Sequence, residues 1–272
     1  MDKVVGSPTE AVADITSGSW LAVGGFGLCG VPFALIDALL EQGADGLTTI
    51  SNNCGVDDQA LGVLLYAGRI TRTISSFVGG NQELARLYLS GALEVELTPQ
   101  GTLAERLRAG GTGIPAFYTP TGVGTMVAEG GIPVRYDAEG NVVKTSEPKE
   151  VRVFDGQQYV LETALTADFG LVRAAVGDRH GNLVFHESAR NFNPLAGMAA
   201  RITVAEVEEL VEPGDIRPED VHLPGVFVDR VVVVGSDGKK IEKRTTRPRP
   251  AAGTDDSAAP AAAGEEATEG AA

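Results

Sequence analysis

The sequence predicts an α/β fold in which a mostly parallel, open sheet is flanked by helices, with added hairpins and a disordered C-terminal tail. Three observations lead to this prediction. Short apolar runs alternate with segments of helical spacing over residues 7–111. Paired extended runs then follow in the second half. Residues 239–272 contain no aromatic side chain at all.

The first elements have clear start and stop signals. The segment "SPTEAVADI" predicts a helix with Ser7 as N-cap, Pro8 as the first helical residue and Glu10 in the capping-box position. The short apolar run "WLAV" predicts the first strand. The segment "PFALIDALLEQG" has helical spacing, begins at Pro32 and stops at Gly43.

The alternation continues through the first half of the chain. "LTTIS" and "RITRTISSFV" predict two strands, and "NQELARLYLSG" predicts the helix after them. "LEVELT" then predicts a strand and "GTLAERLRAGG" a helix. Helices between consecutive strands are typical of crossover connections, so these strands should be mostly parallel.

The second half is richer in loops and hairpins. The segment "GGTGIPAFYTPTGVGTMVAEGG" predicts a long loop, a kind of connection that is uncommon unless it serves a site. "VRVFDGQQYVLE" predicts a hairpin around Asp155-Gly156, and "FGLVRAAVGDRHGNLVF" repeats that form with a longer turn. "RITVAEVEEL" and "VFVDRVVVV" predict the last strands. Residues 1–238 should form the domain, and residues 239–272 a disordered tail.

Charge and composition narrow the class of protein. The chain has 22 Lys and Arg against 37 Asp and Glu, a formal net charge of −15, which disfavours nucleic acid and anionic membranes as partners. No apolar run approaches the ~20 residues of a membrane helix, and "MDKVVGSPTEAV" does not resemble a signal peptide. Two cysteines, Cys29 and Cys54, indicate reduced thiols rather than a disulfide framework. We therefore expect a cytoplasmic protein.

A glycine-rich stretch, "LAVGGFGLCGVP", suggests a dinucleotide-binding turn. Gly25, Gly27 and Gly30 follow the order G-x-G-x-x-G after an apolar strand. Such a turn also requires a carboxylate about 20 residues later, to bind the ribose hydroxyl. Asn52 and Asn53 stand there instead. The pattern therefore argues against NAD binding.

A proline after the glycines leads to the same conclusion. Pro32 disfavours helical geometry at Val31, so the glycines should lie in a loop before the helix. No Lys-Ser/Thr follows them, which excludes a P-loop. Two interpretations remain open from the residues. Backbone N–H groups of the loop could approach an anion or a thioester oxygen, or the glycines could only avoid Cβ clashes in a tight turn.

Seven segments in order resemble one known family. "GGFGLCGVP", "SNNCGVDD", "VGGN", "VELTPQGTLAERLRAGGTGIPAFYTPTGVGT", "SARNFNP", "TVAEVEELVEPG" and "VHLPGVFV" resemble the A (alpha) subunits of the succinyl-CoA:3-ketoacid (3-oxoacid) CoA-transferases, within family I of the coenzyme A transferases. The resemblance runs from about residue 3 to residue 235 and leaves only the tail uncovered. It implies the CoA-transferase fold.

The resemblance also implies a reaction and a partner. In this family a glutamate attacks an acyl-CoA thioester and carries CoA in two ping-pong stages, with coenzyme A as a substrate and with no cofactor or metal. The nucleophile belongs to an S-E-N-G motif of the B subunit, which is absent here. The chain should then be one half of an enzyme, an A2B2 heterotetramer. The obvious candidate carboxylates of this chain all lack that motif: Glu83, Glu94, Glu96, Glu105 and Glu187.

The family's site maps onto two groups of residues in this chain. Asn52, Asn53 and Gln100 match polar residues near the thioester, and Gln100 would contact the oxyanion. Amide groups suit that role because they donate hydrogen bonds without titrating. Turn capping is the structural alternative, which the resemblance makes less favourable. The CoA-binding segment matches Gly24, Gly25, Phe26, Gly27, Leu28, Cys29 and Gly30.

Several other polar residues have plain structural interpretations. Cys29 lacks a neighbouring histidine in the sequence, so it is expected to be a small loop residue and not a nucleophile. His180 and His186 have five residues between them, the widest spacing of a zinc pair, but no thiol lies near them in the sequence, and they should belong to a hairpin. His222 should pack at a turn, although an interface role is open.

Two groups of cations and amides keep two interpretations each. Arg190, with Asn191 and Asn193, could meet a carboxylate or hold the sheet edge. Lys144, Lys149 and Arg152 could meet the CoA phosphates, though ordinary surface charge is favoured.

The expected reaction moves CoA from succinyl-CoA to a 3-oxoacid such as acetoacetate. Alternatives are the alpha subunit of a 3-oxoadipate CoA-transferase, or a non-catalytic α/β protein that binds acyl-CoA or a sugar phosphate. The sequence does not choose the acid, because the partner chain would supply much of the pocket.

Overall fold

The computed structural model describes residues 1–236, and they all belong to one compact unit. The expected tail at 239–272 lies outside these residues. The α-helices are α1 Pro8–Ala11, α2 Phe33–Gln42, α3 Leu61–Tyr66, α4 Gln82–Leu89, α5 Gln100–Gly111, α6 Met126–Glu129 and α7 Asn193–Ala199. Short 3₁₀ turns are Glu187–Arg190, Pro218–Asp220 and Gly225–Phe227.

The strands form one large sheet and two small ones. The strands are β1 Trp20–Val23, β2 Leu47–Asn53, β3 Ile70–Phe77, β4 Glu94–Leu97, β5 Ala116–Thr119, β6 Pro133–Tyr136, β7 Val142–Thr145, β8 Val151–Phe154, β9 Gln157–Thr163, β10 Ala167–Asp178, β11 Leu183–Val184, β12 Ala200–Val211 and β13 Arg230–Val233. In the large sheet the order is β13-β12-β10-β1-β2-β3-β4, with β11 paired to β10. All of its pairings are parallel except that of β11, so the predicted mostly parallel sheet is confirmed.

Helices cover both faces of the large sheet. Alternate residues of β1 point to opposite faces, so Leu21 joins one core and Ala22 the other. The first core includes side chains from α1, α2, α3 and α4, whereas the second includes side chains from α5 and α7. Burial on both faces explains why β1, "WLAV", is a short, continuous apolar run.

The predicted start of α1 and both predicted limits of α2 are confirmed, whereas α1 ends at Ala11, earlier than the predicted segment. The Ser7 side chain accepts a hydrogen bond from the Glu10 N–H at 3.1 Å, and Glu10 accepts one from the Gly6 N–H at 2.9 Å. Helix α2 starts after Pro32 and ends at Gly43, whose φ of +91° is the left-handed cap that glycine favours.

Both predicted hairpins are present, and the structure contains a further hairpin that the sequence did not predict. Strands β8 and β9 pair around Asp155 and Gly156, whose φ angles of +49° and +80° fit a type I′ turn. Strands β10 and β11 pair across a longer turn. The β6–β7 hairpin was not predicted, since "PVRY" and "VVKT" are short and mostly exposed.

Two further parts of the prediction were wrong. The segment predicted as a long loop contains β5 and α6, because β5 finds its partner in the distant strand β9. Helix α3 was missed because it is only six residues long and has no capping side chain at its start. Strands β5, β9 and β8 make a small three-stranded sheet beside the main one.

Candidate active site

The predicted site residues meet at the carboxyl edge of the large sheet. The segment Gly24 to Gly30, here called the glycine loop, directly follows β1. Asn52 and Asn53 end β2, and Gln100 opens α5 just after β4. Ligands of parallel sheets bind at this edge, because loops from several strands converge there.

Three amide side chains form a hydrogen-bonded chain at this edge. Gln100 Nε2 donates to Asn52 Oδ1 at 2.7 Å, and Asn52 Nδ2 donates to Asn53 Oδ1 at 3.2 Å. The Ser76 hydroxyl also donates to Asn52 Oδ1 at 3.0 Å. Asn52 is buried, whereas Gln100 is exposed. The centre of this hydrogen-bonded chain is therefore buried, and its Gln100 end is exposed.

The glycine loop fixes the orientation of Asn53. The Gly27 N–H donates to Asn53 Oδ1 at 3.0 Å, so this oxygen receives two hydrogen bonds. The opposite atom of the same amide, Nδ2, finds no acceptor within residues 1–236. An oriented amide with an unused N–H pair is the group that a developing oxyanion requires.

The loops after β1 and β2 share one backbone shape. Phe26 and Cys29 exchange two backbone hydrogen bonds of 3.0 Å, and Val56 and Gln59 form the equivalent bridge in the second loop. This repeat is difficult to detect in the sequence, because the second loop has an alanine, Ala60, at a φ of +56°. Glycine adopts such a positive-φ conformation more readily. The two halves of the site are thus built from similar turns.

Asp57, in the loop after β2, caps the start of a helix. Asp57 Oδ1 accepts hydrogen bonds from the N–H groups of Gln82 and Glu83, the latter at 3.1 Å, at the start of α4. A carboxylate in this position stabilises the first turn of a helix. Asp57 is therefore occupied, in keeping with the argument against a ribose-binding acid.

Two asparagines of "SARNFNP" hold the glycine loop in place. Asn191 accepts from the Gly25 N–H at 3.1 Å and donates to the Cys29 carbonyl at 3.0 Å. Asn193, which is fully buried, donates to the Gly30 carbonyl at 2.9 Å. Of the two interpretations left open for this segment, the geometry supports the structural one. Arg190 is exposed.

Close packing accounts for two of the loop glycines. A Cβ on Gly24 would collide with the side chain of Asn193. A Cβ on Gly30, whose φ is +73°, would lie 2.7 Å from the Ala189 carbonyl oxygen. The clash-avoiding interpretation thus applies to Gly24 and Gly30, whereas the Gly27 N–H is bonded to Asn53 within the protein. That loop N–H groups approach an anion or a thioester oxygen stays a prediction.

The N-terminus of α2 carries an internal carboxylate. Glu206 on β12 is fully buried, accepts from the Leu35 N–H at 3.0 Å and meets Arg173 Nη1 at 2.6 Å. Burial raises the pKa of Glu206 to about 7, while Arg173 and the backbone N–H groups oppose the rise. The start of α2 is therefore occupied by Glu206 and is not open to a substrate anion.

The chain is similar to one known family over almost all of its described residues. The sequence model of the family described as "Coenzyme A transferase" matches residues 5–234. The chain belongs to this family. The family resemblance of the seven sequence segments is thereby confirmed.

Relatives in this family match nearly the whole described region. A protein of Mycobacterium tuberculosis strain H37Rv, named as the probable A subunit of a succinyl-CoA:3-ketoacid coenzyme A transferase, is 64% identical over 91% of this chain and 100% of its own length. The human mitochondrial succinyl-CoA:3-ketoacid coenzyme A transferase 2 is 52% identical over 90% of this chain but 47% of its own length.

A solved coenzyme A transferase structure shares the fold. The acyl-CoA transferase YdiF of Escherichia coli O157:H7 superposes with a TM-score of 0.73 at 25% identity, covering 86% of this chain and 47% of that one. The chain thus spans about half the length of the human and E. coli relatives.

A cavity of about 230 Å³ lies beside the glycine loop of this coenzyme A transferase chain. Its walls include Cys29, Arg173, His186 and Ser188. Cys29 Sγ lies 3.4 Å from the Ser188 hydroxyl oxygen, a polar neighbour that is not a base. Within residues 1–236 the thiol thus lines the cavity without a hydrogen bond to a basic side chain, and that Cys29 is not a nucleophile stays a prediction.

We expect thiol reagents to distinguish the two cysteines. Cys54 is buried, and burial raises its pKa to about 11, whereas Cys29 lies in a half-buried loop. Because the thiolate is the reacting form, Cys54 should react with iodoacetamide at least about a hundredfold more slowly. Peptide mass spectrometry at pH 7.5 measures both sites, with Cys29→Ser as the control. Equal labelling of the native chain would contradict the prediction.

The cations considered for the CoA phosphates are paired within the chain. Lys144 meets Glu94 at 2.8 Å and Lys149 meets Glu162 at 2.6 Å. Arg152 meets the neighbouring carboxylate of Glu150 at 2.6 Å. The surface-charge interpretation that the sequence favoured agrees with this pairing.

The histidines lie where the structural interpretations placed them. His180 is in the turn between β10 and β11, and His186 follows β11. His222 accepts from the Phe185 N–H at 3.0 Å through Nδ1, and burial lowers its pKa. Within residues 1–236 no three His, Cys, Asp or Glu side chains are grouped to hold a metal ion, and no helix there is long and apolar enough to cross a bilayer.

Proposed function

We propose that this chain is the A (alpha) subunit of a heteromeric 3-oxoacid CoA-transferase that moves CoA from succinyl-CoA to an acid such as acetoacetate. The name of the M. tuberculosis relative, at 64% identity over its whole length, supports the substrate class. The observation that carries the chemistry is the fixed amide chain of Gln100, Asn52 and Asn53, in which Gln100 and Asn53 keep N–H groups that no acceptor within residues 1–236 uses.

In this proposal the nucleophile belongs to a second chain. The S-E-N-G motif of the family is absent from the sequence, and the human relative is about twice as long as the matched region. A B subunit would therefore supply the catalytic glutamate and much of the acid pocket. The assembly would be an A2B2 heterotetramer, with coenzyme A as a substrate and no resident cofactor.

The proposed reaction has two ping-pong stages. The glutamate carboxylate attacks the thioester carbonyl of succinyl-CoA, whose oxygen gains negative charge and is stabilised by the amide N–H groups of Asn53 and Gln100. CoA leaves as a thiolate, and an acyl-glutamyl anhydride remains. The thiolate then attacks the glutamyl carbonyl, which releases succinate and leaves a glutamyl-CoA thioester. The 3-oxoacid carboxylate repeats these steps in reverse.

Both intermediates react readily with water, so the site must be covered. In this chain the carboxyl edge of the sheet is open. Phe26 is 50% exposed, Phe77 58% and Leu97 37%, and all three follow or end strands at this edge. Apolar side chains exposed beside polar site groups are typical of a surface that a partner covers. We propose that the B subunit covers this edge.

The test compares the lone chain with the coexpressed pair. The purified chain should transfer no CoA from succinyl-CoA to acetoacetate, whereas the pair with an S-E-N-G subunit should be active. The isolated B subunit and a pair with its glutamate replaced by alanine are the controls. Transfer by the lone chain would refute the division of labour. If the pair prefers 3-oxoadipate, that acid would replace acetoacetate as the proposed acceptor. If the pair transfers CoA to neither acid, the result would favour a non-catalytic binding protein.

A further inference from the structure

The small sheet β5-β9-β8 has an exposed, mostly apolar edge. Strand β8 is its last strand, and all four of its residues are exposed. Val151 is 41% exposed, Val153 61% and Phe154 44%. An apolar edge strand left in water readily pairs with another strand, which is why most proteins cover or charge such edges.

The register shows which backbone groups of β8 are not hydrogen-bonded to β9. Phe154 faces Gln157 across the two-residue turn, and the Leu161 N–H donates to the Glu150 carbonyl at 2.9 Å. Since the pairing alternates along an antiparallel ladder, residues 150, 152 and 154 bond to β9. The N–H and C=O groups of Val151 and Val153 therefore point away from the sheet, toward a missing neighbour.

Glu150 and Arg152 meet each other at 2.6 Å within one chain, and the same two charges are complementary to those of a second copy of the strand. If Val151 faces Val151 of an antiparallel copy, Glu150 faces Arg152 of that copy, and this pairing occurs twice about the two-fold axis. These are positions between hydrogen-bonded pairs, where side chains approach most closely. Opposite charges at such positions stabilise the pairing of two strands.

Two shifted registers lack this match. A shift that pairs Val151 with Val153 of the copy places Arg152 against Arg152, which is repulsive. A shift centred on Val153 places Val151 against the turn residue Asp155 and pairs no opposite charges. Of these three registers, the charges of the strand favour the one centred on Val151.

We propose that β8 is a homodimer interface, where two copies of this chain join their three-stranded sheets into one continuous six-stranded sheet with Val151 on the two-fold axis. Four backbone hydrogen bonds cross it, two at Val151 and two from flanking residues of the register. The proposal extends the A2B2 assembly by naming the contact between the two copies of this chain, and it needs no enzymatic activity for its test.

The first test removes the outward hydrogen bonds. Val151→Pro deletes an N–H that β9 does not use, so the monomer fold should persist. Val151→Thr keeps that N–H and is the matched control. By sedimentation of the full chain without any partner, at tens of micromolar, we expect a dimer for the wild type and for Val151→Thr. The dissociation constant of Val151→Pro should rise about tenfold or more, with an unchanged circular dichroism spectrum.

The second test uses the charges. Glu150→Arg and Arg152→Glu should each weaken the dimer, because like charges then face each other, while the double variant should regain most of the affinity. A monomeric wild-type chain, or single and double variants of equal affinity, would overturn the proposal. A monomeric wild type whose binding to the B subunit is lost in Val151→Pro would likewise overturn it and assign the edge to that subunit.

Discussion

Gln100→Ala in the assembled enzyme is expected to lower kcat/KM for CoA transfer by about 10²–10³-fold, the usual effect of removing one oxyanion donor. Gln100 is exposed at the open edge, and only one of its two N–H groups is needed for the 2.7 Å hydrogen bond to Asn52. The variant removes both the remaining donor and the support of Asn52. Steady-state kinetics with succinyl-CoA and acetoacetate measure the effect.

Two companion variants separate this role from turn capping. Gln100→Glu keeps the length of the side chain but places an oxygen against the Asn52 carbonyl oxygen, so activity should stay low. Gln158→Ala changes an exposed glutamine of β9 and should leave kcat/KM unchanged. If Gln100→Ala lowers the melting temperature and leaves kcat/KM intact, Gln100 is a helix-start residue and nothing more.

The elements that sequence reasoning placed well are those with local signals. Helix α2 begins after Pro32 and ends at Gly43 because a proline and a left-handed glycine impose those limits whatever surrounds them. The β8–β9 turn is likewise set by Asp155-Gly156. The convergence of Asn52, Asn53 and Gln100 came from the family resemblance, and the structure brings these three side chains together.

What sequence reasoning missed depends on contacts between distant segments. The sequence of β5 gives no clear strand signal, and the segment is a strand because it pairs with the distant strand β9. Asn191 and Asn193 hold a loop that lies far away in the sequence. In an alternating strand such as "TVAEVEEL", Glu206 looks like a solvent-facing residue. It is buried because Arg173 and the start of α2 lie over it.

Arg173→Met should lower the free energy of unfolding by about 3–5 kcal/mol at pH 8, because it leaves the buried Glu206 carboxylate without its cation. Glu206 is fully buried, and Arg173 lies 2.6 Å from it. Arg173 Nη2 also lies 3.4 Å from Glu208, so two carboxylates lose a partner. Urea unfolding with a shared m-value measures the loss.

The loss should depend on pH in a direction that the Glu206 pKa fixes. Its pKa of about 7 in the fold lies above the usual 4.5, so the folded state holds this proton more tightly than the unfolded chain does. The stability contributed by the protonated group is complete below pH 4.5 and is lost as the pH rises through 7. Without Arg173 the folded pKa rises further, so Arg173→Met should cost much less at pH 5 than at pH 8.

Two controls identify the buried charge as the cause. Arg173→Met combined with Glu206→Gln removes the carboxylate and should lose its pH dependence, because no group in the pair then titrates. Arg179→Met breaks the exposed pairs with Asp2 and Glu212 and should change the free energy of unfolding little at either pH, because water screens exposed ion pairs. If Arg173→Met lowers the free energy of unfolding equally at pH 5 and pH 8, the prediction is wrong. The packing of the arginine stem, rather than its pairing with the ionised Glu206, then explains how Arg173 stabilises the fold.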